Sequence, residues 1–419
     1  MKRVLFISYY VPPAGGGGVQ RSSKFIKYLP TLDWQPIVLT VSENAYQIRD
    51  ESLLNDIQPG TPIFRTASLH LYQRLPWRIR NFISRWFLLI DEQVGWLPGA
   101  VSQGERIIQH FAIDAIYSTS PPNTAHLIAY KLKMLSNIPW LADFRDPWIG
   151  NFSANFPTSW HKKVVERWEA KVINLADCIL SVSPPIEAAL KSRYPHASPS
   201  KFFVVPNGYD SNDFDQSITQ SSIENIQSKN NTLNVVYSGS FYGTQQTPLY
   251  FLHGLKLALV NLANPKIQVR MIGNINPDVS RQISKLGLSH IVQVTGYIPH
   301  RQSIEEINKA DLLLLIIGSG ASMEGVVTGK IYEYLAAKKP ILALVPEGVA
   351  AELIHSARAG IVVPPTDISA INRAIVDLYN RWRNDDLRIE SNREVIEHYE
   401  RHSLTARLTD IMNKMSTQG

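Results

Sequence analysis

The hydrophobic pattern alternates between short apolar runs and amphipathic stretches along most of the chain. Residues 3–10 are β-rich and uninterrupted by turn residues, as a strand buried on both faces requires, and VPPAGGGG follows. Gly15 to Gly18 then lead into a helical pattern with apolar positions at Val19, Phe25, Ile26 and Leu29. Strand, glycine loop and helix open a doubly wound α/β domain. Further strands are expected at Pro36–Val41, at 113–119, within 138–150, in ADCILSV and from Phe202, with helices over SPPNTAHLIAYKLKML and VVERWEAKVINL between them. After a Ser-, Asn- and Gln-rich stretch the pattern restarts with LNVVYSGSFYG at 233–243. Strands in KIQVRMIGN, IVQVTGYIP, DLLLLIIGS, KKPILALVP and AGIVVPP alternate with helices, which implies a second parallel sheet.

The expected architecture is α/β, with two tandem Rossmann-like domains and a cleft between them. Residues 1–205 form the first domain and 206–375 the second. Residues 376–419 form charged C-terminal helices that cross back to the first. The length of 419 residues and a hydrophobic content of 44% fit two globular domains. The net charge of +6 is spread along the chain and argues for an anionic ligand or surface, not for nucleic acid. One cysteine, Cys178, excludes a disulfide framework and fits a reducing compartment. The N-terminal run reads as a first strand, not a signal peptide, and no apolar run is long enough to span a bilayer.

Three stretches carry candidate chemistry. In TGKIYEYLAAKKPILAL, residues 328–344, Gly329 opens a helix whose N-terminal N–H groups attract anions. Lys330 adds a cation, and Glu333 adds an acceptor for two vicinal hydroxyls, so the set suits a phosphate joined to a sugar. An ordinary helix with an acid in its first turn is the plain alternative. In ADFRDPW, Asp143, Arg145 and Asp146 stand where a strand C-terminus meets the crevice of an open sheet. Asp143 and Asp146 are candidate base or positioning groups and Arg145 a partner for either; an internal salt bridge is the alternative. Between Asp56 and Asp91 there is no acid, and Arg74, Arg78, Arg80 and Arg85 alternate with apolar and aromatic residues including Trp86. As a helix, Arg74, Arg78 and Arg85 share a face, the pattern of a segment lying in a membrane interface, or else of a core helix with snorkelling arginines. No metal-ligand spacing is present among the histidines, and Asp213 and Asp215 stand in the polar linker.

Taken together and in order, PPAGGGGVQR, ADFRDPW, SVSPP, VPNGYD, YSGSFYG, MIGN, VTGYIPH, GKIYEYLAAKKPILA and GIVVPPTD resemble the GT-B glycosyltransferases, in particular the retaining bacterial cell-surface sugar transferases of glycosyltransferase family 4. The resemblance implies an acceptor bound by the first domain and a nucleotide-diphosphate sugar bound by the second, with no further cofactor and no metal. It implies a glycan or lipid-linked acceptor in surface polysaccharide synthesis, at the cytoplasmic face of a membrane with an anionic surface. By the same pattern Glu333 matches the ribose-binding glutamate, with Lys330 near the diphosphate. Gly239 and Ser240 match the turn that faces the phosphates, and Gly16 and Gly17 the loop that approaches donor and acceptor. The chain departs from the pattern at Ser240, where an Arg is usual, and at Gly325, where a first glutamate is expected and Glu324 stands one place off. It also has Asp143 to Asp146 in place of a histidine. A sugar-nucleotide epimerase and a non-catalytic partner subunit are the alternative readings.

Overall fold

The structure is a computed structural model, which describes residues 1–69, 76–150, 156–215, 231–241, 246–320 and 323–416. The chain forms two compact units, Met1–Pro206 with Arg401–Gly419, and Asn207–Glu400.

The first unit contains strands β1 (Lys2–Ile7), β2 (Trp34–Val41), β3 (Ile63–Thr66), β4 (Ala115–Ser120), β5 (Trp140–Phe144), β6 (Cys178–Ser181) and β7 (Phe202–Val204). They form one parallel sheet in the order β3-β2-β1-β4-β5-β6-β7. The second unit contains β8 (Leu233–Ser238), β9 (Ile267–Ile272), β10 (Val292–Thr295), β11 (Leu312–Ile316), β12 (Ile341–Leu344) and β13 (Gly360–Val363). These are also parallel, in the order β10-β9-β8-β11-β12-β13. Both sheets are therefore doubly wound. The strand order reverses between β1 and β4 in one unit and between β8 and β11 in the other, and ligand crevices open at the carboxyl ends of strands at such points.

The unbroken apolar runs of the sequence follow from this layering. Successive side chains on a strand point to opposite faces, and the central strands of each sheet are covered on both, whereas β9 and β10 leave Gln268, Arg270 and Gln293 exposed. Leu5 and Ile7 enter one core and Val4 and Phe6 the other. On β11, Leu312, Leu314 and Ile316 face one core and Leu313 and Leu315 the second. The edge strand β3 was not expected from the sequence. Its four residues are only half-buried, so their pattern gives too little apolar contrast to be read.

The last helix, Arg401–Ser416, belongs to the first unit, whereas residues 376–400 stay with the second. Leu404, Leu408, Ile411, Met412 and Met415 pack with Val4, Phe6 and Phe25. Lys2 Nζ donates to Asn413 Oδ1 at 3.0 Å, and Arg407 Nη2 to the carbonyl of Val204 at 3.0 Å. The first sheet thus has one face completed by the end of the chain. Leu404 is fully buried, and Leu404→Ala is expected to lower stability by ~2–5 kcal/mol through lost burial and a cavity. The midpoint of chemical denaturation checks this.

Candidate functional site

Each unit places a polar cluster at its own reversal point. In the first unit, β1 leads into the loop before the helix Gly17–Tyr28, and β4 and β5 end beside it. Asp143, near the end of β5, is fully buried. Arg21 grips it with both arms, Nε to Oδ2 at 2.7 Å and Nη2 to Oδ1 at 2.9 Å. Tyr117 and Thr119 on β4 donate their hydroxyls to the same Oδ2 at 2.5 and 3.1 Å. Burial pushes the Asp143 pKa up, but Arg21 and these donors outweigh it and hold the carboxyl below its ordinary value. The third arm of Arg21 donates to the carbonyl of Pro206 at 2.9 Å.

Arg145 is likewise committed. Its Nε donates to the carbonyl of Ser120 at 3.2 Å, its Nη1 to that of Gly18 at 2.5 Å, and its Nη2 to that of Pro121. It ties the start of the glycine-loop helix to the end of β4. Arg65 on β3 supports the other side of that loop through the carbonyl of Pro12 at 2.7 Å. Gly16 caps the helix with φ +90°, a conformation that favours glycine, and a Cβ at Gly16 or Gly17 would meet open space. Asp146 differs from Asp143. Among the described residues its carboxylate makes no hydrogen bond, and burial raises its pKa against the opposing pull of Arg145. His126 is buried against Trp140, Phe144 and Trp148, with Nδ1 2.7 Å from Ser118 Oγ. Burial lowers its pKa to about 3, so the imidazole is neutral, and its Nε2 has no partner among the described residues.

In the second unit β8 ends at Ser238 and turns through Gly239 at φ +130°. A Cβ at Gly239 would lie 2.6 Å from Lys330 Nζ, so glycine here makes room for the lysine as well as for the backbone conformation. Lys330 donates to the Tyr237 hydroxyl at 2.8 Å and lies 4.3 Å from the centre of that ring. Tyr237 stacks on Phe241 and donates to the carbonyl of Ser240 at 3.2 Å. Burial lowers the Lys330 pKa to about 7, and the nearby Glu333 resists the shift. Both residues lie on the helix Gly329–Ala337, whose N-cap Thr328 makes no side-chain cap; the Thr328 hydroxyl is buried without a partner among the described residues. Glu333 Oε1 stands 2.9 Å from Nε2 of His300, the first residue of the helix after Pro299. Tyr334, on the same helix, accepts the backbone N–H of Ser238 with its hydroxyl at 2.8 Å.

Gly239, Ser240, Lys330 and Glu333 are therefore gathered around the end of β8 and one helix start. They offer a cation, the N-terminal end of a helix and a carboxylate beside an imidazole, a set able to hold a phosphate and a diol. The Glu324 side chain is exposed, and its carbonyl accepts the N–H of Val349 at 3.1 Å. Three contributors were not singled out on sequence: Arg21, Tyr237 and His300. Arg21 reads as an ordinary polar helix position, and His300 is signalled only by its place after Pro299. Arg78, Arg85 and Trp86 lie on the helix Trp77–Phe87, exposed to solvent, while Arg74 lies outside the described residues.

Asp143→Asn removes the charge that compensates buried Arg21 and is expected to cost about 3–5 kcal/mol at neutral pH. Because the folded state lowers this pKa, the contribution of the pair is complete above about pH 4, the unfolded value, and is lost as pH falls through the folded value. Urea midpoints of the two proteins should thus converge as pH falls from about 5 towards 2.

Comparison with known families follows the same division. The model of Glycosyltransferase Family 4 matches residues 15–213, and that of Glycosyl transferases group 1 matches residues 232–381. A search of curated protein sequences finds no match. Among solved structures, Anabaena Alr3699/HepE in complex with UDP and glucose superposes with TM-score 0.68 at 16% identity, over 99% of this chain and 100% of that one. A glycosyltransferase from Rickettsia africae ESF-5 gives TM-score 0.69 at 16% identity, over 100% of this chain and 99% of that one. Sucrose-phosphate synthase from Thermosynechococcus elongatus gives 0.69 at 14% identity, over 100% of both chains.

Proposed function

Because this chain belongs to the GT-B glycosyltransferases, with a family 4 first part and a group 1 second part, we propose that it transfers a sugar from a nucleoside-diphosphate sugar to a glycan or lipid-linked acceptor in surface polysaccharide synthesis. The observation that carries this reading is the cluster of Gly239, Lys330, Glu333 and His300 at the reversal point of the second sheet. In this reading the helix N-terminus and Lys330 take the diphosphate, and Glu333, oriented by His300, takes the ribose hydroxyls. UDP in the HepE structure makes a uridine nucleotide the first candidate. The departing diphosphate needs its charge stabilised by donors already in place, and Lys330 with the helix N–H groups supplies them without calling for a metal ion. Retention of the anomeric configuration follows the family resemblance.

In the first unit, Asp146 is the carboxylate we assign to the acceptor side. Asp143 and Arg145 act on it indirectly, by holding the loop through Arg21, Ser120 and Gly18.

We also assign the helix Trp77–Phe87 to a membrane surface. Trp77, Phe82 and Phe87 are 66%, 56% and 67% exposed, on a helix whose basic residues include Arg78 and Arg85 and which has no acid. Large aromatic side chains left in water beside arginines suit the boundary of an anionic bilayer. No described helix is long and apolar enough to cross a membrane, so this contact is peripheral, and the inner face is where nucleotide sugars are available.

Calorimetric titration with UDP-glucose and a panel of other nucleotide sugars tests the donor site. Glu333→Ala should weaken the bound donor about 10-fold or more, the worth of a charged hydrogen bond; unchanged affinity for every nucleotide sugar would overturn the assignment. An anion favours protonated Lys330, whose pKa in the free protein is about 7. Donor affinity should therefore fall as pH rises above 7, and binding at pH 8 should take up protons, an uptake abolished in Lys330→Met.

The membrane contact predicts sedimentation with phosphatidylglycerol vesicles at low salt. Arg78→Glu with Arg85→Glu should weaken it at least about tenfold, since each basic residue near such a surface contributes about 1 kcal/mol. Absence of binding to any vesicle would remove this part of the reading.

A further inference from the structure

The first unit carries a second concave site, apart from the cluster around Asp143. It is an open groove of about 910 Å³ against one side of the helix Ser159–Leu175. Lys162, Lys163 and Arg167 line it from that helix, Arg193 lines it from the helix Pro184–Arg193, and Glu166 is the only acid on its wall among the described residues. Lys162 stands 3.7 Å from Glu166, so that acid is partly engaged. Lys163 and Arg167 are exposed, with no ion pair among the described residues.

Arg193 is held differently. Its Nη1 donates to the fully buried Glu169 at 2.9 Å and its Nη2 to the carbonyl of Ile149 at 2.8 Å. Glu169 is fixed in turn by the hydroxyl of Tyr194 at 2.6 Å and the N–H of Trp148 at 2.9 Å. One wall therefore presents a preorganised guanidinium and the other presents exposed cations, which is a receptor for phosphate oxygens.

The same helix joins this groove to the aromatic surface. In its first turn, Trp160 is 58% exposed and His161 is buried. His161 Nε2 lies 3.2 Å from the carbonyl of Trp86, and the two rings pack at 5.6 Å. The helix Trp77–Phe87 is thus seated on the turn from which Lys162 and Lys163 project. A phosphate monoester offers cations on two walls a further free oxygen and a second ionisable proton, which a phosphodiester lacks.

We infer that the groove bounded by Lys163, Arg167 and Arg193 binds the terminal phosphate headgroup of a membrane lipid, the lipid being anchored in the bilayer touched by Trp77, Phe82 and Trp160. This names the class of lipid that the protein engages and rests on the membrane contact proposed above.

The test compares phosphatidylcholine vesicles containing phosphatidic acid, which has a terminal phosphate, with vesicles matched in surface charge by phosphatidylglycerol, which has only a diester. The native protein should bind the phosphatidic acid vesicles about tenfold more tightly. Lys163→Glu with Arg167→Glu should abolish that preference, whereas Arg78→Glu with Arg85→Glu should weaken both kinds of binding equally. Both substituted pairs are exposed, and thermal melts verify that the variants fold. Equal binding of the two lipids by the native protein, or a preference that survives in Lys163→Glu with Arg167→Glu, overturns the inference. If no vesicle binds, the membrane contact fails, and calorimetry with soluble short-chain phosphatidic acid decides the groove alone. Saturable binding lost in Lys163→Glu with Arg167→Glu upholds it, and no binding overturns it.

Discussion

A parallel sheet whose strand order reverses leaves a gap at the carboxyl ends of the two strands where the connections part to opposite faces. This constraint operates once in each unit, between β1 and β4 and between β8 and β11. The glycine loop leaves β1, the Gly239 turn leaves β8 and the segment leading to Lys330 and Glu333 leaves β11, while Asp146 follows the neighbouring β5 and His300 follows β10. Loops there need not bury their own backbone in the sheet, so glycine, charge and hydroxyl can gather without interrupting a ladder.

The two units use charge in opposite ways. In the first, Arg21, Arg65 and Arg145 are spent on structure: they satisfy buried carboxylate oxygens and loop carbonyls that would otherwise stand unpaired. Their planar, multiply donating heads make one residue serve several acceptors. The result is a glycine loop tied at both sides by arginine hydrogen bonds, with Asp146 following the end of β5. In the second unit the principal cation is Lys330, with one hydrogen bond to a tyrosine hydroxyl and an aromatic ring beneath it. A lysine whose pKa burial lowers to about 7 costs less to bury than a permanent cation and becomes fully charged beside an anion.

The helix Ser159–Leu175 links the remaining features. Its buried side carries Glu169 and Val172 into the core, and its first turn seats the aromatic helix through His161. Its solvent side carries the cationic wall of the groove. Amphipathic packing alone accounts for the first face. The concentration of Lys162, Lys163 and Arg167 on the second is a property of the surface.

Short apolar or alternating runs between amphipathic stretches marked out the two doubly wound sheets, while the half-buried edge strand β3 left no such pattern. The local pattern also marked Gly329, Lys330 and Glu333, because glycine before a charged helix start is a local signal, whereas Gly239 was picked out only by family resemblance. Only the tertiary structure decided which charges are available for chemistry. Asp143 and Asp146 are three residues apart and identical in type, yet one is closed by Arg21, 122 positions away, and the other is not. His300 meets Glu333 from another helix, and the end of the chain completes the first sheet. Such pairings depend on distance in space between segments remote in sequence, and no local pattern of residues encodes that distance.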